Sequence, residues 1–171
     1  ELAATGCVDF LSETYYHSLG FLYSRDEFLA QVDLHTCLMQ DLFGQRPAVF
    51  RNTELIYSND LAVWAGSSGR YLAVLAEGAD HILQGRSPNY VYTPPGTTDS
   101  PKVKLLLKNY RLSDDIAFRF SNREWDGWPL TADKFAQWIG GADGRASSGD
   151  LYNLFLDYET FGEHQWADTG I

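Results

Sequence analysis

The sequence predicts an α/β fold with mainly parallel strands, and two observations support that class. Short apolar runs typical of buried strands alternate along the chain with stretches of helical periodicity. Three of the apolar runs end in carboxylates and aromatic side chains, at residues 9–17, 51–57 and 157–166. In parallel α/β folds the active site lies at the carboxyl ends of the strands. The pattern therefore predicts one α/β domain with a polar site at one edge of its sheet.

The first long element is a predicted helix over residues 25–43. Ser24 followed by Glu27 is a capping-box signature at its start, and Gly44 is the glycine expected just past its end. Its apolar side chains recur at helical spacing and predict one buried stripe, made of Phe28, Val32, Met39, Leu42 and Phe43. His35 falls on the same stripe and is predicted to be a packed core residue rather than a ligand.

The later elements are shorter, and they alternate between strands and capped helices. Strands are predicted at residues 47–52, 71–75, 102–107 and 150–156. Helices are predicted to begin at Ser58 or Asn59, to cover 114–120 behind Ser113, and to cover 132–139 behind Thr131. Residues 86–101, rich in proline, and 140–149, rich in glycine and serine, are predicted loops.

Two smaller features receive structural interpretations. Asp114 and Asp115 are interpreted as negative charge at the amino end of a helix, with an ion pair to an arginine as the alternative. Trp125 and Trp128 are interpreted as a loop anchored on the core, with the lining of a cleft as the alternative.

Composition and charge exclude several classes of partner. The net charge of -10 repels phosphate backbones and argues against nucleic acid. No apolar run approaches the roughly 18 residues of a membrane span, and no signal peptide is visible, so a cytoplasmic location is predicted. Cys7 and Cys37 are predicted to be packed free thiols. Since no zinc-binding spacing occurs, no metal or cofactor is expected.

The segment LDYETFGEHQW, residues 156–166, concentrates the most chemistry. If the preceding apolar run is a strand, Asp157 and Glu159 share a face with Phe155, and Tyr158 points the other way. Two carboxylates on one face at a strand end suit general acid and base catalysis. A helix cap with surface charge, at a strand-to-helix turn, is the alternative.

Three runs of the sequence resemble signature regions of glycoside hydrolase family 57. The runs FRNTELIY, residues 50–57, and DYETFGEHQW, residues 157–166, are similar to its third and fourth signature regions, in the variants of its α-amylase-like branch. Residues 6–17 resemble the second region. The first and fifth regions are absent, so residues 1–171 are expected to be an internal piece of a catalytic domain, truncated at both ends. The resemblance implies part of an incomplete (β/α)7 barrel.

The resemblance also implies a reaction and its residues. The family hydrolyses or transfers α-glucan linkages with retention of configuration, which takes an ionised nucleophile and a proton donor. Glu54 matches the nucleophile and Asp157 the general acid/base. Arg51 nearby would favour the ionised form of Glu54. Further residues are implied in binding the sugar or tuning the pair, with Asp9 standing where many members carry Glu: Asp9, Glu13, His17, Arg51, Glu159, His164 and Trp166.

An α-amylase-like hydrolase is therefore the predicted activity, with α-glucan as its substrate. Transglycosylation, either 4-α-glucanotransfer or branching, uses the same catalytic pair and stays an alternative. A metal-dependent carbohydrate deacetylase using Asp157, His17 and His164 is another alternative, and a non-catalytic glycan-binding protein is the last. Residues 1–171 alone are expected to be poorly soluble and inactive, because a truncated parallel sheet exposes an apolar edge.

Overall fold

The computed structural model describes residues 1–95, 103–141 and 149–171. The predicted loops at 86–101 and 140–149 lie partly outside these described residues. The helices are α1 (Gly20–Tyr23), α2 (Arg25–Phe43), α3 (Asn59–Ser68), α4 (Asp80–Leu83), α5 (Tyr110–Ala117) and α6 (Ala132–Ile139). The strands are β1 (Val49–Arg51), β2 (Ala73–Glu77) and β3 (Lys104–Lys108). Among the described residues no helix is both long and apolar enough to cross a membrane.

The three strands form one sheet in the order β1-β2-β3, so the α/β class is confirmed. Strands β1 and β2 run parallel, with Phe50 opposite Val74. Four successive residues of β2, from Ala73 to Ala76, are buried, as expected for a strand covered on both faces. The (β/α)7 barrel itself stays a prediction.

The predicted strand at residues 150–156 is wrong. Its pairing is reduced to a single parallel bridge between Lys108 and Asn153, in which the Asn109 N–H donates to the Asn153 carbonyl at 2.9 Å. The run before Glu13 behaves in the same way. Ser12 alone bridges Phe50, through hydrogen bonds of 2.9 Å to the Val49 carbonyl and from the Arg51 N–H. Both runs contain apolar residues, but neither forms a continuous row of backbone hydrogen bonds with a neighbouring strand.

The chain forms two compact units. Unit 1 comprises residues 1–76 and 91–106, and unit 2 comprises 77–90 and 107–171. The core of unit 1 is aromatic: Phe28 and Phe50 are fully buried, and both meet Trp64 edge to face, at centroid distances of 4.7 and 5.0 Å. The core of unit 2 is built on Leu112, Leu130 and Trp138.

Helix α2 confirms the prediction at both ends. The Ser24 hydroxyl accepts a hydrogen bond from the Glu27 N–H, and Gly44 adopts left-handed backbone at φ 68°. The stripe, however, ends early. Phe28, Val32 and Met39 are buried, whereas Leu42 is 61% exposed. Phe43 is 40% exposed, and its ring stacks on that of Phe10 at 3.9 Å between centroids.

His35 on α2 is half-buried rather than fully packed in the core. Its Nδ1 is buried with no hydrogen-bond partner. Burial lowers the pKa of His35, and the nearby Glu13 opposes that shift. The imidazole is therefore held towards its neutral form, which agrees with a structural role.

Helices α3 and α6 begin as predicted, since the side chains of Ser58 and Thr131 accept hydrogen bonds from the N–H groups of Leu61 and Lys134. Helix α5 begins four residues before the predicted start. Its cap is Asn109, whose side chain accepts from the Leu112 N–H at 3.1 Å. Ser113 is instead a buried residue of the first turns, and its hydroxyl donates to the Asn109 carbonyl at 2.7 Å.

Three side-chain predictions have different outcomes. Asp115 is buried and forms an ion pair with Arg119 at 2.7 Å, so the helix-charge interpretation is wrong and the arginine alternative is right. The anchored-loop interpretation is confirmed for Trp125, because its ring meets Trp138 edge to face at 5.9 Å, whereas Trp128 is 42% exposed. Cys7 and Cys37 are free as predicted, but both are exposed rather than packed.

Candidate active site

The candidate residues lie in both units of the chain. Unit 1 carries Asp9, Glu13, His17, Arg51 and Glu54. Unit 2 carries Asp157, Glu159, His164 and Trp166.

Glu54 lies in a tight turn directly after β1. The strand ends at Arg51, Asn52 is buried, and its side-chain amide donates to the Ile56 carbonyl at 3.1 Å across the turn. Within the turn Glu54 has φ 55° and ψ 27°, and Leu55 has φ 55°. Left-handed backbone costs a non-glycine residue about 1–2 kcal/mol, and such residues concentrate at functional sites. The turn leaves the Glu54 side chain 70% exposed.

His17 meets the Glu54 carboxylate directly. Its Nε2 lies 2.8 Å from Glu54 Oε1, and it too has left-handed backbone, at φ 51°. The hydrogen bond with His17 is the main cause that holds the pKa of Glu54 below its usual value, with smaller contributions from the charges of His17 and Arg51. The contact with His17 therefore favours the ionised form of the Glu54 carboxylate, which is the form that a nucleophile needs.

Arg51 acts mainly on a different carboxylate from the one predicted. Its Nη1 donates to Glu13 Oε2 at 3.1 Å, and both side chains are about one-third exposed. Among the causes that lower the pKa of Glu54, the charge of Arg51 is the smallest. Sequence proximity indicated Arg51, but the shorter contact belongs to His17, 37 residues away from Glu54.

Asp9 is exposed on a segment that Gln45 holds from both sides. The Gln45 amide donates to the Val8 carbonyl at 3.0 Å, and its oxygen accepts from the Phe10 N–H at 3.4 Å. The backbone around Asp9 is therefore fixed although its side chain faces solvent.

Asp157 lies at the start of a 3₁₀ turn, Tyr158–Thr160, and not on a strand. Asp157, Tyr158 and Glu159 are all exposed and Thr160 is buried, so the alternating faces predicted for a strand are wrong. The turn is compact because the Thr160 N–H donates to the Asp157 carbonyl at 3.0 Å.

The rest of the motif folds back onto this turn. The N–H groups of Glu163 and His164 both donate to the Glu159 carbonyl at 3.1 Å, and the Gln165 N–H donates to the Thr160 carbonyl at 2.9 Å. Gln165 is buried, and its amide donates to the Ala117 carbonyl at 2.9 Å. Trp166 is 63% exposed, and the His164 ring lies 6.1 Å from the Phe118 ring. Gln165 thus fixes the loop, while the exposed side chains around it are available to a ligand.

Several polar residues of the site were not singled out in the sequence, although Thr14 and Thr53 lie within its motifs. Next to His17 and Glu54, hydrogen bonds join Thr14, Ser18, Gln31 and Thr53, and Gln45 holds the Asp9 segment. Within residues 1–95, 103–141 and 149–171, no group of three or more His, Cys, Asp or Glu side chains is arranged to hold a metal ion.

Comparison with known proteins decides the family. The model of glycosyl hydrolase family 57 matches residues 1–171. The chain belongs to glycosyl hydrolase family 57. Membership of family 57 confirms the resemblance found in the second, third and fourth motifs.

A curated protein and a solved structure resemble this family 57 chain. It is 48% identical over 172 residues to a curated protein of Methanocaldococcus jannaschii named "Putative alpha-amylase". The alignment covers 100% of this chain and 34% of the relative, so the chain spans about a third of the length of that protein. A crystal structure described as a "putative polysaccharide deacetylase from Mycobacterium smegmatis" matches with a TM-score of 0.58 over 90% of this chain and 50% of that chain, at 12% identity. At that identity the likeness concerns the fold alone.

Proposed function

We propose that this chain supplies the catalytic pair of a retaining glycosidase that acts on α-1,4-linked glucans, with Glu54 as nucleophile and Asp157 as general acid/base. The observation that carries the proposal is the Glu54 carboxylate, which is exposed yet held ionised by the 2.8 Å contact with His17. Membership of family 57 and the name of the Methanocaldococcus relative favour α-glucan hydrolysis.

The two carboxyl groups have complementary tasks in this reaction. Glu54 attacks the anomeric carbon while protonated Asp157 gives its proton to the departing glycosidic oxygen, which leaves a covalent glycosyl-enzyme. Asp157, now ionised, then removes a proton from the incoming water as that water releases the sugar from Glu54. Two inversions at one carbon give net retention.

The remaining candidates are proposed to position the sugar. The side chains of Asp9, Glu159 and His164 are exposed and polar, so each can exchange hydrogen bonds with hydroxyl groups. Trp166 presents an exposed indole on which a pyranose face can stack. Glu13, engaged by Arg51, is proposed to act through that ion pair.

The test uses the full-length protein that contains this chain. Glu54→Gln and Asp157→Asn should each lower kcat on a maltooligosaccharide by several orders of magnitude, on the order of 10³ or more, because each removes a group that acts in the transition state. Both exposed side chains can change with the melting temperature almost unaltered.

A second measurement separates the two roles. An aryl glucoside with a good leaving group needs no general acid, so azide should restore turnover to Asp157→Ala on that substrate by attacking the glycosyl-enzyme, which gives a glycosyl azide of retained configuration. In Glu54→Ala azide can only replace the missing nucleophile, so any glycosyl azide should have the inverted configuration. A Glu54→Gln enzyme with near-normal kcat would reject the assignment.

A further inference from the structure

We propose that the hydroxyl groups of Thr14 and Thr53 are positioning residues for the nucleophile, because they hold the His17 and Glu54 loops together through a closed ring of hydrogen bonds. This inference rests on the proposed role of Glu54. It concerns two buried side chains that lie within the motifs at 6–17 and 50–57 but were not among the candidate residues of the sequence.

The ring has three members. The Ser18 N–H donates to Thr14 Oγ1 at 2.9 Å, Thr14 Oγ1 lies 3.1 Å from Thr53 Oγ1, and Thr53 Oγ1 donates to the Ser18 carbonyl at 2.7 Å. The Thr14 hydroxyl also lies 3.4 Å from that carbonyl, and either hydroxyl can be the donor in the bond between the two threonines. The ring closes on both backbone polar groups of Ser18.

Both threonine hydroxyl groups are buried, which raises the free-energy cost of losing their hydrogen bonds. Thr14 is 1% exposed and Thr53 is 3% exposed. Removing either hydroxyl leaves a buried donor or acceptor without its partner, which a folded protein avoids by shifting the backbone or admitting water.

The ring lies directly beside the proposed chemistry. Ser18 follows His17 in the chain, and Thr53 precedes Glu54. Both neighbours have left-handed backbone, φ 51° at His17 and φ 55° at Glu54, a conformation that persists in such residues only when the surroundings impose it. The ring fixes the residue adjacent to each strained position, and so it fixes the 2.8 Å contact between their side chains.

Helix α2 anchors the ring. The Ser18 hydroxyl donates to Gln31 Oε1 at 2.8 Å, and the Gln31 amide donates to Glu27 Oε1 at 2.7 Å. Gln31 is itself buried in the first half of α2, a helix capped at both ends. The nucleophile loop is thereby tied to the longest regular element of unit 1.

The experiment uses the full-length protein and separates the effect of the threonine hydroxyl from the effect of side-chain volume. Thr53→Val and Thr14→Val keep the shape and remove the hydroxyl, and Thr53→Ser and Thr14→Ser keep the hydroxyl. Thr36→Val is the matched control, since Thr36 Oγ1 donates within α2 to the Val32 carbonyl at 2.8 Å and lies outside the ring. The probes are a maltooligosaccharide for kcat and KM, and the pH profile of kcat/KM.

The valine variants should lose kcat by about 10–100-fold with KM nearly unchanged, as expected when a reacting group is misplaced by a fraction of an ångström to an ångström. The acid limb of their kcat/KM profile should move to higher pH, because a loosened His17 no longer lowers the pKa of Glu54 as strongly. The serine variants and Thr36→Val should remain within about threefold of the parent in kcat and keep its acid limb.

A valine variant that fails to fold, judged by circular dichroism, is replaced by the alanine and serine pair at the same position. Thr→Ala and Thr→Ser both remove the methyl group and differ only in the hydroxyl, so the same kcat loss and pH shift are expected in alanine relative to serine. The proposal is overturned if hydroxyl-free variants keep the parental kcat and acid limb, or if they lose kcat with an unmoved acid limb.

Glu54→Gln and Asp157→Asn, measured in the same assay, distinguish a failure of the proposed function from a failure of the inference about the threonine ring. If those variants retain turnover, the proposed function fails. If they are inactive while the hydroxyl-free threonine variants are normal, the ring inference alone fails.

Discussion

At the scale of single residues, the state of the Glu54 carboxylate follows from one contact rather than from burial. Its side chain is 70% exposed, and the 2.8 Å hydrogen bond with His17 is the first cause of its lowered pKa. His17 and Glu54 share left-handed backbone as well as the contact. Such conformations in two partners of one hydrogen bond indicate a pair selected for geometry at some cost in stability.

His17→Ala should move the acid limb of kcat/KM to higher pH. The hydrogen bond lowers the pKa of Glu54, so the wild-type nucleophile stays ionised to lower pH, and removing the bond raises that pKa towards its ordinary value. The measurement is the pH profile of the full-length enzyme on an aryl glucoside.

His17→Asn serves as its control, because Asn adopts left-handed backbone more readily than most residues but lacks the reach of an imidazole. We expect the same acid limb as in His17→Ala together with equal or greater thermal stability. An acid limb that stays in place in both variants would mean that His17 does not set the ionisation of Glu54.

At the scale of secondary-structure elements, helix ends decide local stability. Helices α2 and α3 both end at glycines in left-handed conformation, Gly44 and Gly69, whereas the short helix α4 ends at Gln84 with φ 50°. Gln84 is exposed, so its side chain gains little from packing to offset the strained backbone. The left-handed backbone at the end of α4 favours glycine, and the sequence has Gln84 there instead.

Gln84→Gly should stabilise the protein by about 0.5–1 kcal/mol, because glycine removes the left-handed penalty and retains a smaller entropic cost. The same change at Gln40, an exposed residue inside α2, should destabilise it by about 1 kcal/mol. Denaturant unfolding of the full-length protein measures both, and equal signs at the two positions would contradict the backbone argument.

At the scale of the whole molecule, the proposed nucleophile and acid/base come from different units of the chain. Glu54 follows β1 in unit 1, and Asp157 begins a turn in unit 2. Exposed aromatic side chains accompany both, with Tyr16 68% exposed beside His17 and Tyr158 93% exposed beside Asp157. Large exposed aromatics in such places are typical of binding surfaces.

The carboxyl groups of Glu54 and Asp157 should lie about 5–5.5 Å apart in the full-length enzyme, the separation that a retaining mechanism requires. A crystal structure of that enzyme with a trapped glycosyl intermediate measures the distance, and NMR of the first product measures its anomeric configuration. A separation of about 6.5–9.5 Å with inverted product would indicate water attack opposite the leaving group, and a separation well beyond 10 Å would end the pairing.

The sequence by itself determined the features that depend on near neighbours. The starts of α2, α3 and α6 and the end of α2 were predictable because each cap is a bond between residues three or four apart, as between Ser24 and Glu27. The family was predictable because its signature regions are contiguous runs of residues. The choice of Glu54 and Asp157 as candidates follows from those same runs.

Only the tertiary structure decided which distant groups meet. The contacts of His17 with Glu54, Glu13 with Arg51, and Thr14 with Thr53 join residues 37, 38 and 39 apart, and no local pattern encodes such pairs. The predicted strand at 150–156 failed for the same reason. Its apolar residues fit a strand, but strand structure requires backbone partners along a neighbouring segment, and the fold supplies one bridge, at Asn153.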